Sequence, residues 1–80
     1  MSIRNIVGSN IRGFRKLLKL SQEDFAKIAA LNRSHLAATE RGEINLTLDT
    51  LERIATIIGI PVHVLLMENS HKWAETRKLN

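Results

Sequence analysis

Apolar residues recur every three or four positions along this chain, and the runs they form are cut short by residues that start or stop helices. Ile3, Val7, Ile11, Phe14 and Leu18 make the first stripe and predict a helix over roughly 3–18. Ser21 precedes Asp24 by three residues, so its hydroxyl can cap a second helix that begins at Gln22 and turns Phe25, Ala26 and Ala29 inward. Asn32 is an N-cap type residue and opens a third helix over Arg33–Arg41, which Gly42 is suited to end in a left-handed conformation. Thr47 caps a fourth helix with the stripe Leu48, Leu51, Ile54, Ala55 and Ile58, and Gly59 stops it. Pro61 opens a fifth short helix reaching about Glu68, nearly all apolar through Val62, Val64, Leu65 and Leu66. The polar stretch 69–80 is compatible with a sixth helix or a loose tail. No strand pattern occurs, so the expectation is an all-α fold, a compact five-helix bundle over 1–68 followed by the tail 69–80.

Eighty residues suffice for one domain and leave a modest core, while the absence of cysteine removes disulfides and thiolate zinc sites as reinforcement. The most apolar stretch, Ile54–Met67, is interrupted by Gly59, Pro61 and His63, which argues against a membrane span; a cytoplasmic protein is expected. The charge is placed unevenly. Residues 1–20 carry Arg4, Arg12, Arg15, Lys16 and Lys19 without an acid, whereas 21–60 carry four bases against six acids. A basic face concentrated at one end suits a polyanion.

Two short helices joined by a tight turn inside a bundle form the arrangement that offers its second helix to the DNA major groove. The residues add to this: Arg15, Leu20-Ser21-Gln22-Glu23-Asp24-Phe25-Ala26, Leu31, Leu36, Glu40-Arg41-Gly42, Thr47-Leu48, Leu51, Ile54-Ala55 and Gly59. Over residues 11–66 this resembles the repressor/Cro (Xre-like) helix-turn-helix family, with its lambda-repressor-like fold. The run Asn32–Leu36 with Glu40–Glu43 is similar to controller proteins of restriction-modification systems. The resemblance implies a homodimeric regulator of transcription on a pseudo-palindromic double-stranded DNA operator, sensing its own concentration and requiring neither cofactor nor metal. It places Arg33 and Ser34 at base edges with Ala37 and Ala38 one turn later, and makes Arg33 the candidate for a guanine. It places Lys16, Lys19, Gln22, His35, Arg41, Asn45 and Thr47 at the DNA backbone. It also pairs Arg15 with Glu40 as a structural tie between the first and third helices.

Three positions depart from the family pattern. Ala30 stands where glycine is common, so the turn must bear a left-handed alanine or lengthen the second helix by a residue. Thr39 replaces a large apolar residue and Leu46 a proline. The surplus of apolar residues in the fifth helix, Val62, Val64, Leu65 and Leu66, predicts a dimer interface. The competing reading is the antitoxin of a toxin–antitoxin pair, with Trp73 and the tail Ser70–Asn80 as the protein-partner surface. An enzyme is not expected, because His35, His63 and His71 are dispersed and no metal, phosphate-loop or nucleophile motif accompanies them.

Overall fold

The computed structural model describes residues 2–77. Among them run six helices: α1 (Ile3–Leu17), α2 (Gln22–Ile28), α3 (Arg33–Glu40), α4 (Leu48–Ile58), α5 (Val62–Leu65) and α6 (Ser70–Arg77). The last residues of the predicted tail, 78–80, lie outside the described residues. The expected caps form. Ser21 accepts from the Asp24 amide at 3.0 Å, Asn32 from the His35 amide at 2.7 Å and Thr47 from the Thr50 amide at 3.1 Å. Each satisfies a first-turn donor that has no partner within its helix.

The helix ends share one device. Lys19, Ala30, Gly42 and Gly59 all have positive φ, between 57° and 89°. After each of them the next amide reaches back five residues: Leu20 to Arg15, Leu31 to Ala26, Glu43 to Ala38 and Ile60 to Ala55, at 2.8–3.2 Å. Ala30 therefore takes the left-handed option, and Lys19 does the same at a position with no glycine to signal it. A left-handed L-residue costs about 1–2 kcal/mol. Leu20 and Leu31, which follow Lys19 and Ala30, pack against the core and offset that cost by burying apolar surface.

Helix α1 lies at the centre of the packing. Val7, Ile11 and Phe14 meet Phe25, Ala26, Ala29, Leu36, Leu51, Ile54, Ala55 and Leu65 in one buried cluster. At the α1–α3 crossing a Cβ on Gly8 would stand 2.3 Å from the Thr39 carbonyl oxygen, so backbones meet there directly. Thr39 is buried at this crossing and satisfies its hydroxyl on the His35 carbonyl at 2.8 Å. Leu46 is partly buried against the core, a role a proline ring would fill less completely.

Several expectations are corrected. Leu48 is 81% exposed rather than part of the buried stripe, because it sits a turn before Leu51 and beyond the edge of the core. Ile3 and Leu18 are also exposed, and Leu20 takes the inward place expected of Leu18 after the chain reverses at Lys19. Arg41 caps α3 rather than belonging to it. Helix α5 is four residues long and does not reach Glu68. The side-chain amide of Asn10, fully buried on α1, donates to the carbonyls of Leu65 at 2.9 Å and Met67 at 2.7 Å. The Leu65 carbonyl at the end of α5 is thereby satisfied by a side chain instead of a further helical amide, and the Met67 carbonyl shares Asn10 with the Ser70 amide at 3.1 Å. Of the stretch 69–80, residues 70–77 form α6, which packs on α1.

Candidate nucleic-acid interface

The site is built on the α2–turn–α3 unit. Ser21 and Asn32 set the start of each helix, and the left-handed Ala30 sets the bend between them. Leu36, Thr39 and Glu40 are buried on the inner side of α3. Arg33 and Ser34 are exposed at its first turn, with Ala37 and Ala38 half-buried one turn on. The outer side of α3 therefore presents the residues predicted to meet base edges, on a helix whose inner side is anchored.

The anchor is a buried polar network. Arg15 Nε donates to Glu40 Oε2 at 2.7 Å and its Nη2 to Oε1 at 3.0 Å, a two-point contact that fixes the guanidinium in plane with the carboxylate. The third side of Arg15 donates to the Leu20 carbonyl at 2.8 Å. Gln22 Nε2 donates to Glu40 Oε1 at 3.1 Å. α1, the start of α2 and the end of α3 thus converge on one carboxylate. Among the described residues no buried side-chain nitrogen or oxygen lacks a partner.

The predicted contact residues do not all fall together. Gln22, Ala37 and Arg41 line one open cleft, shared with Arg12, Glu40 and Glu43. Arg41 is exposed and holds Glu43 at 2.9 and 3.0 Å. That hydrogen bond and charge hold the Glu43 carboxyl below its usual range and raise the Arg41 guanidinium further. His35 is half-buried beside the exposed pair Arg33 and Ser34. Lys16 lines a different cavity, between α1 and α6, with Ser9, Arg12, Gly13, Leu17 and His71. Lys19 is exposed at the left-handed end of α1. Asn45 accepts from Arg4 Nε and borders an apolar groove with Ile3, Val7 and Leu66. The Thr47 hydroxyl is engaged with Thr50.

The fifth-helix set divides. Leu65 is 0% exposed and belongs to the core, so it cannot face a partner, while Val62 and Val64 are partly buried against that core. Leu66 and the unpredicted Met67 are 40% and 53% exposed. Sequence reasoning also passed over Asn10. The available signal was a polar residue set among Val7, Ile11 and Phe14 on an otherwise apolar face.

Among the described residues no cluster of three or more His, Asp or Glu is arranged to hold a metal ion, and no helix is long and apolar enough to cross a membrane.

Comparison with known proteins gives a consistent result. The family model described as helix-turn-helix matches residues 11–65. Control protein C.SmaI of Serratia marcescens is 38% identical over 72 residues, 90% of this chain and 86% of that protein. The immunity repressor of Bacillus phage phi105 is 42% identical over 64 residues, 80% of this chain but 44% of the repressor. The crystal structure of the restriction-modification controller C.AhdI from Aeromonas hydrophila superposes with a TM-score of 0.73 at 32% identity, over 78% of this chain and 94% of the controller.

Proposed function

This chain belongs to the helix-turn-helix family, and we propose that it is a sequence-specific regulator of transcription of the controller or repressor type, acting as a homodimer on a pseudo-palindromic DNA operator. The observation that carries this reading is the mounting of α3. Its first turn exposes Arg33 and Ser34, while its far end is held to α1 and α2 through Glu40, Arg15 and Gln22. A reading helix needs that combination, because a base contact tolerates little positional freedom. Arg33 would take a guanine through its O6 and N7 acceptors, and Ser34 with the methyl groups of Ala37 and Ala38 would meet neighbouring edges. Gln22, Lys16, Lys19, His35, Arg41, Asn45 and Thr47 would position the protein on phosphates.

The homodimer is supported by the exposed Leu66 and Met67 directly after α5, with Val62 and Val64 half-covered beside the core. Two-fold pairing through this end would set the reading helices about 34 Å apart, one turn of DNA. The relatives found do not favour the antitoxin reading; of its partner surface Trp73 is 55% exposed, but Ser70 is buried against the Val64 carbonyl and His71 is engaged with Asn10 on α1. Selection of bound duplexes from a random pool tests the proposal. Enrichment of a two-fold-related motif is expected, and failure to enrich any sequence would overturn it.

A further inference from the structure

Among the six side chains that line the cleft between α1, α2 and α3, the charges cancel except at one residue. Glu40 is neutralised from behind by Arg15, and Arg41 and Glu43 neutralise each other across 2.9 Å. Arg12 remains, exposed on α1 and without an ion pair or side-chain hydrogen bond among the described residues. It faces Gln22 and Ala37 across a space of about 610 Å³. It also borders the second cavity, with Lys16 one helical turn further along the same edge of α1.

We propose that Arg12 is a ligand for a DNA backbone phosphate, taken in the cleft together with Gln22, and that Lys16 continues this contact along the strand. The inference deepens the regulator reading and rests on it. Three physical points support it. An anion entering the cleft meets one uncompensated cation, and that cation is a guanidinium, whose fork of N–H donors matches a phosphate. The Gln22 amide nitrogen carries two hydrogens and gives one to Glu40, so it is held in a defined orientation with a second hydrogen to offer. The cleft opens beside Ala37 on the recognition helix, so the strand whose bases that helix reads is the one whose phosphates pass Arg12.

The test uses the full chain, with fluorescence anisotropy on the selected operator and on an unrelated duplex, from about 50 to about 200 mM salt. Arg12→Gln is expected to weaken both duplexes by the same factor, about five- to thirtyfold, and to make the slope of log affinity against log salt shallower by about 0.9. Arg12→Lys keeps the charge and should keep the slope. Superimposable thermal melts of the variants verify that the fold is retained. If Arg12→Gln matches the wild type while Gln22→Ala weakens binding, the Arg12 assignment falls and the regulator reading stands. A loss confined to the operator would make Arg12 a base reader and overturn the phosphate assignment. Titration with inorganic phosphate separates the other source of the same chemistry: saturable binding that Arg12→Gln abolishes, with duplex affinity unchanged, overturns the proposal in favour of a free-anion site. A wild-type protein that binds no duplex at any salt overturns the regulator reading itself, and this inference with it.

Discussion

The side chains of Asn10 and His71 are joined at 2.9 Å, Asn10 Oδ1 to His71 Nδ1, across the contact between α1 and α6. Because the Asn10 amide nitrogen already donates to Leu65 and Met67, its oxygen is the acceptor and the hydrogen sits on His71 Nδ1. The His71 ring lies edge-on to Phe14, with centroids 6.4 Å apart, and rests on Gly13, where a Cβ would come within 2.1 Å of the ring. One buried asparagine thus ends α5 and seats α6. Asn10→Ala should destabilise the protein by about 2–4 kcal/mol, since the Leu65 carbonyl loses its donor, the Met67 carbonyl is left with the Ser70 amide alone, and a cavity opens. Urea unfolding followed by circular dichroism measures this, and a change below about 0.5 kcal/mol would contradict the assigned role.

The Arg15–Glu40 pair behaves differently under single and double substitution. Arg15→Met or Glu40→Leu alone leaves a buried charge without its partner, costing about 3–5 kcal/mol. The double variant removes both charges and should recover most of that loss. A double-mutant cycle in denaturant measures the coupling, and additive losses would show that the pair is not coupled.

On DNA, Arg33→Ala should weaken operator binding by about 1–3 kcal/mol and leave an unrelated duplex nearly unaffected. Lys19→Ala should reduce affinity for both duplexes and flatten the salt dependence. Anisotropy titrations at matched salt distinguish the two patterns. An equal loss on both duplexes for Arg33→Ala would make it a phosphate contact instead.

Ala30 carries its left-handed conformation in an exposed position at the turn. Ala30→Gly should therefore stabilise the protein by about 0.5–1 kcal/mol, because relief of the Cβ strain exceeds the added entropy of the unfolded chain. The denaturation midpoint should rise with an unchanged slope against denaturant. A lower midpoint would show that the turn relaxes around alanine.

Adjacent residues after the start of α5 should give opposite phenotypes. Leu66→Glu, at an exposed position, should break the dimer and leave the monomer folded, and Leu65→Ala, in the core, should cost about 2–5 kcal/mol. Sedimentation velocity and melting at several concentrations separate the two, since a dimer melts higher as concentration rises. A wild-type monomer at tens of micromolar would remove the dimer proposal.

Helix positions, caps and the helix-turn-helix unit were legible in the sequence because they rest on local chemistry. Ser21, Asn32 and Thr47 bond amides three residues away, and the buried stripe of α1 follows from a 3.6-residue period. Even the Arg15–Glu40 tie, 25 residues apart, was reachable because the residues around it resemble a known family. Periodicity shows that a face is apolar, but not how far the neighbouring element extends over it. Leu48 and Leu51 lie on one stripe of α4, yet Leu51 is buried and Leu48 is not. Leu65 and Leu66 are chemically identical neighbours, and only the docking of α5 against α1 turned the first inward. The early end of α5 was decided by Asn10, an acceptor and donor set brought in from 55 residues away. The cleft at Arg12 likewise exists only where three helices meet. Local geometry repeats within a turn of helix and can be read from spacing, whereas burial and pairing between distant residues depend on which surfaces finally touch, and that is a property of the folded chain.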